Sequence, residues 1–315
     1  MTTWSTSILF ILYVFSTLSS TECANGTISA VIAFGDSILD TGNNNNLNTM
    51  TKCNFPPYGR NFPGGLPTGR FGDGKVFSDL IVEGLGIKDI LPAYLDRNLK
   101  DADLSTGVCF ASGGSGLDSL TARIQSVLSV SDQLHLFKQY ITKLEAVVGK
   151  EKSNAIISNA LFLVSSGNDD IAITYYSLRL RSQFAVSSYT SLLVTLASNF
   201  TKDLYGLGAR RIAFMGTLPL GCLPAARATV GGILCAETVN QAAQIFNSKL
   251  SSELSALNNS LSEAKIFYLD VYSPLLDLIQ NPQNQVSSSQ CWVLLSRYII
   301  MRLPINLCVL GSCSS

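Results

Sequence analysis

Five short apolar runs constrain this chain more than anything else in it: "SAVIAF" (29–34), "GVCFA" (107–111), "ALFLVSS" (160–166), "RRIAFMG" (210–216) and "AKIFYLD" (264–270). None shows the apolar–polar alternation of a strand with one wet face. Continuous apolar runs of this length are what parallel strands covered on both faces require. Longer stretches with helical spacing lie between them. In "SDQLHLFKQYITKLEAVVG", Leu134, Phe137, Ile141, Leu144 and Val148 recur at steps of three and four, and Ser131 is the expected N-cap. Segments 187–209 and 237–261 behave likewise, the first closing on a glycine. Strand–helix alternation of this kind predicts an open parallel α/β sheet with helices on both faces.

The chain has 315 residues, 47% apolar and 14% charged, enough for a real core and too apolar for disorder. Its formal net charge is zero and it has no Lys/Arg cluster, which argues against nucleic acid as a partner. "SILFILYVFSTLSS" is too short to span a bilayer and runs into small residues, so residues 1–23 read as a cleaved signal peptide that leaves no transmembrane anchor. Secretion fits the sequons at Asn25, Asn199 and Asn258, and it allows the eight cysteines to oxidise. Cys222 and Cys235 bracket a Pro/Gly-containing loop and are the expected disulfide, with two unpaired thiols as the alternative. No C-x-x-C or Cys/His grouping exists, so neither zinc nor any other cofactor is expected, and a monomer is.

Segment 42–75, "GNNNNLNTMTKCNFPPYGRNFPGGLPTGRFGDGK", is dense in Gly, Pro and Asn. It reads as a long loop after the first strand, and loops at the carboxyl ends of parallel strands form sites. Within it "GRFGDGKV" comes near a phosphate loop. However, Val76 stands where a metal-binding hydroxyl should be, and no strand precedes it. The chemistry lies elsewhere. Ser37 follows the first strand in "GDS", and no G-x-S-x-G exists, which excludes a nucleophile elbow. "FASGGSGLD" (110–118) follows a second strand, with glycines whose backbone N–H groups are free to face a site. "VSSGNDD" (164–170) follows a third. A nucleophile, backbone donors and side-chain donors thus stand at three strand ends.

"IAFGDSILDTGNNN", "GVCFASGGSGLD" and "LFLVSSGNDDI", in this order and spacing, resemble the plant GDSL esterase/lipases of the SGNH hydrolase superfamily, above all the extracellular-lipase-like branch. "KCNFPPYGRNFPGG", "PTGRFGDGKVFSDLI" and "GARRIAFMGTLPLGCLP" extend the likeness, which runs from about Ile28 to Gln285 and marks residues 28–285 as the domain. The resemblance implies a three-layer α/β/α sandwich with a flavodoxin-like parallel sheet. It also implies secretion into the apoplast or cell wall and hydrolysis of small-molecule or lipid carboxylic esters. By position it makes Ser37 the nucleophile and gives the N–H groups of Ser37 and Gly113 as oxyanion donors. The third donor in the superfamily is an Asn, and here Asp169 occupies that place. An ionised carboxylate cannot donate a hydrogen bond. Either Asp169 is protonated, or Asn168 turns in to replace it, or this donor is lacking.

The family closes with Asp-x-x-His, which supplies the acid and base of a triad. Residues 286–315 contain no Asp, Glu or His and share no pattern with the family, as a shifted reading frame or a retained intron would produce. The fold is therefore expected to be incomplete at its C-terminus. The one histidine, His135, shares a helical face with Gln139 and Thr142 and is expected on the surface. Two readings follow: a secreted ester hydrolase with impaired turnover, or a non-catalytic protein that binds lipid or glycan in the old acyl site.

Overall fold

The computed structural model describes residues 28–281. The signal segment 1–23, Asn25 and the tail 286–315 lie outside the described residues.

Four of the apolar runs form β1 (Val31–Gly35), β2 (Leu161–Ser165), β3 (Arg211–Met215) and β4 (Lys265–Leu269), all parallel and in the order β1-β2-β3-β4. The registers Val31↔Leu161, Leu161↔Arg211 and Arg211↔Lys265 align the four strands end to end. The fifth run lies along the free edge of β1. Val31 and Ala33 donate to Thr106 and Val108, and Phe110 and Ser112 donate back to Ala33 and Gly35. Beyond it, Cys109 donates to Pro92 and Tyr94 to Cys109. The chain thus leaves β1 toward one edge, returns through 107–112, and crosses to β2 on the other side. That reversal is the switch point of a flavodoxin-like sheet, and ligands bind in the crevice at the carboxyl ends of the strands that flank it.

Alternation within each strand divides the core. Phe34, Phe162, Val164, Ile212, Phe214 and Ile266 join one buried cluster with the helices Val130–Val148, Val186–Gly206 and Glu237–Ser260. Phe34 is its hub. It stacks on Phe110 at 5.1 Å and meets Phe137 and Phe200 edge-on at 5.5 Å and 5.6 Å. Such pairs contribute about 0.5–1.5 kcal/mol each beyond the area they bury.

The helix over 130–148 departs from expectation in two ways. Ser129, not Ser131, is the N-cap: its hydroxyl accepts from Asp132 N–H at 3.2 Å while Asp132 accepts from Ser129 N–H at 2.9 Å. The buried stripe is Val130, Gln133, Phe137, Tyr140 and Leu144, with Leu134, Ile141 and Val148 only at its margin. A polar Gln133 in the stripe shifts the helix face by one residue, because its amide has partners inside.

Among the described residues no helix is long and apolar enough to cross a membrane. Cys222 and Cys235 are joined by a disulfide with Cα atoms 4.0 Å apart. Asn199 and Asn258 are exposed on helices, and Asn258 Oδ1 accepts from Ile266 N–H at 2.8 Å.

Candidate active site

The turn after β1 is built by close backbone approach. Gly35 has φ 120°, and a Cβ there would fall 1.7 Å from the Ser165 carbonyl oxygen, so only glycine lets β1 and β2 end this close together. Gln133 clamps the same residue from the helix above, accepting from Gly35 N–H at 2.7 Å and donating to its carbonyl at 2.9 Å. Asp36 then bridges the crevice. Its N–H donates to Ser165 O at 2.9 Å. Its carboxylate accepts from Ile38 N–H at 3.1 Å, from the Ser165 hydroxyl at 2.9 Å and from Asn168 Nδ2 at 2.8 Å. Burial still raises its pKa to about 6. Ser37 sits in this turn, partly exposed, and among the described residues nothing is hydrogen-bonded to its hydroxyl.

The second wall is 112–116. Asp40, fully buried, accepts from Gly42, Asn43 and Gly113 N–H at 2.8, 2.9 and 2.8 Å, and burial holds its pKa near 6. The N–H of Gly113, the expected oxyanion donor, is therefore spent on Asp40. The next residue, Gly114, has φ 87°, and its N–H faces the Asp169 carboxyl instead. Phe71 lies against Gly113, where a Cβ would meet its ring.

The third wall follows β2. Asn168 does not turn in to replace Asp169: its Nδ2 serves Asp36 and its Oδ1 accepts from Leu218 N–H at 3.0 Å. Asp170 accepts from Leu117 N–H, Asp118 N–H and the Thr121 hydroxyl at 2.7, 3.0 and 2.6 Å, and its pKa is raised to about 7 by burial. Asp169 has no such set, and its Oδ2 is shielded from solvent and unpartnered.

Ser37, Gly113–Gly114 and 167–170 thus meet at one sheet edge, around the switch point. Residues 31–290 match the GDSL-like lipase/acylhydrolase family. The chain belongs to that family. It is 61% identical over 259 residues to the GDSL esterase/lipase At1g23500 of Arabidopsis thaliana, covering 81% of this chain and 74% of that one. It is 50% identical over 294 residues to GDSL esterase/lipase EXL3 from the same plant, covering 91% and 81%. Membership carries with it ester hydrolysis as the family's chemistry.

His135 stands apart from the site. It is exposed, and its Nε2 lies 3.1 Å from Gln139 Nε2. Two residues before it, Gln133 faces β1, and two residues turn a helix by about 200°. Sequence reasoning missed Gln133, Gly114 and the asparagines of the 42–75 loop. Gln133 did leave a signal: it falls three residues after Val130 and four before Phe137, in step with the buried face.

Proposed function

We propose that this chain is a secreted carboxylic ester hydrolase with Ser37 as nucleophile and with turnover well below that of a relative that carries the Asp-x-x-His pair. The observation that carries the reading is the free Ser37 hydroxyl at the switch point, beside its own unspent backbone N–H. Ser37 Oγ adds to the ester carbonyl, and the oxygen that becomes negative is met by the N–H of Ser37, with the Gly114 N–H, turned to Asp169, beside it. The serine must lose its proton as it adds. A base of near-neutral pKa within hydrogen-bond reach normally takes it. The one histidine of these 315 residues is His135, on an exposed helix face. Without a base, acceleration falls back to the roughly 10³–10⁴-fold that binding and the oxyanion site supply.

The apolar N-terminal run, the Cys222–Cys235 disulfide and the exposed Asn199 and Asn258 sequons support secretion and glycosylation, hence the apoplast or cell wall. A monomer acting on small-molecule or lipid esters fits the same picture. The place of His135 also favours a second reading, a protein that binds a lipid or glycan without turning it over.

The test is p-nitrophenyl butyrate hydrolysis by purified protein beside Ser37→Ala. Turnover at least about a thousandfold below a relative with the Asp-x-x-His pair, and abolished by the substitution, is expected. Full turnover abolished by Ser37→Ala would reveal a base elsewhere. Lipid binding with no Ser37-dependent turnover favours the second reading.

A further inference from the structure

The hydrogen-bond donors around Ser37 are few. Asn168 Nδ2 and the Ser165 hydroxyl are spent on Asp36, Gly113 N–H on Asp40, and Ser112 N–H on Gly35. Among the donors of these turns this leaves the N–H of Ser37 unspent, while that of Gly114 faces Asp169. Beside Gly114 stands a carboxyl that this N–H alone answers. Asp169 Oδ2 is shielded and unpartnered, and the charges that act on the group are Asp36, from the turn after β1, and its own neighbour Asp170. Each of those carboxylates accepts three hydrogen bonds. No group of three His, Cys, Asp or Glu among the described residues is placed to hold a metal ion that would neutralise them. Of three crowded carboxyls, the one with the fewest donors keeps the proton, since like charges and desolvation both oppose its ionisation.

We infer that Asp169 stands as the neutral acid and, in that form, donates a hydrogen bond to the carbonyl oxygen of an ester held at Ser37. The donor role rests on the hydrolase reading above; the protonation does not. A neutral carboxyl has the O–H that an ionised one lacks. Burial, with Asp36 and Asp170 adding to it, holds this group well above the usual carboxylate range. Ionisation would do triple harm. It would remove the O–H, draw the facing Gly114 N–H onto the new carboxylate, and set a negative charge beside a developing oxyanion.

Three readouts separate the parts of the inference. At about pH 8 Asp36 and Asp40, near 6, and Asp170, near 7, are largely ionised. The infrared spectrum should then still hold a protonated-carboxyl stretch that Asp169→Asn removes and Asp170→Asn leaves. An unchanged spectrum in Asp169→Asn overturns the protonation. Melting temperature against pH gives a second view. The folded protein keeps a proton that the unfolded chain releases above the ordinary value of 3.8, so this group's contribution to stability falls as pH rises from there to its folded pKa. Asp169→Asn should therefore gain stability over wild type as pH rises, and a constant offset between the two curves opposes the inference. The third is p-nitrophenyl butyrate turnover above the Ser37→Ala background. Asp169→Ala should lower kcat by about 10²–10³ with KM little changed, the loss typical of one oxyanion donor. Asp169→Asn, an amide donor at every pH, should keep kcat and flatten its decline in alkali. An Asp169→Ala kcat equal to wild type overturns the donor role. Turnover that Ser37→Ala leaves intact, or none at all, removes the hydrolase reading and the donor role together, while the infrared band still decides whether Asp169 carries its proton.

Discussion

Two loops leave the same edge of the sheet and are tied down by opposite means. The loop after β1, residues 36–75, is pinned by buried polar side chains. Asn43 donates to the carbonyls of Cys109 and Ala111 at 2.9 and 2.8 Å and accepts from Leu95 N–H at 3.0 Å. Asn44 donates to Thr51 and Gly113 and accepts from the Ser112 hydroxyl. Arg70 forks onto Asp79 at 2.7 and 2.8 Å and donates to the carbonyls of Thr41 and Leu91. The loop after β3 is closed by Cys222–Cys235 and exposes Leu223, Val230, Leu234 and Ile233, the last 97% exposed. A disulfide fixes the ends of a loop, here with a short helix, Pro224–Val230, between them, whereas directional bonds to several elements fix a loop at many points along its length, although Met50 and Leu66 of 36–75 still face solvent. The loop with Ser37 at its start is of the second kind, as a site that must hold donors to fractions of an ångström requires.

Substitutions that remove one anchor at a time probe this contrast. The largest effect is expected from Asp79→Ala, which strands a guanidinium only 5% exposed. Breaking a buried pair in this way costs roughly 3–5 kcal/mol, and urea denaturation reads it. A loss under about 1 kcal/mol would mean that Arg70 is not what holds the loop. Replacing both Cys222 and Cys235 by serine should cost at most about 3 kcal/mol, the chain-entropy limit for a loop of this length. Limited proteolysis should then cut within 223–234 while any Ser37-dependent turnover persists, and lost turnover would tie this loop to the site. Ile233→Ser is the smallest, within about 0.5 kcal/mol, as for surface positions without partners. A larger loss in a melting curve would show that this side chain is buried in solution.

The strands were legible because both faces of a parallel sheet are apolar, and the observed ends differ from the sequence runs by a residue or two. The run 107–111 was apolar for the same reason, but it lies beside β1 through an isolated bridge and backbone hydrogen bonds rather than as a regular strand. The expected helix face over 130–148 was displaced because apolar spacing is blind to a polar side chain with partners in the core, and Gln133 is one. The site was readable as three glycine-bearing turns at three strand ends. That the Gly113 N–H meets Asp40 while the Gly114 N–H meets Asp169 was not, because the two are identical as residues. The expected disulfide partners, Cys222 and Cys235, are bonded in the fold. The asparagine run 43–46, read only as part of a long loop, is locked, since each amide finds a backbone carbonyl outside the run.

By itself the sequence determined the α/β class, the strand ends where chemistry could gather, and Ser37 as the residue to watch, because these follow from local pattern. It also placed an acid where a donor belongs without saying in which state. Only the tertiary structure decided that Asn168 is spent on Asp36, that Asp40 takes the Gly113 N–H, and that Asp169 Oδ2 is left unpartnered between two carboxylates. Each of those outcomes is a competition among groups far apart in sequence for the same few hydrogen bonds. Burial settles it, because an unanswered charge costs little in water and several kcal/mol, at about 1–3 kcal/mol per unmet polar group and more for ions, inside the fold.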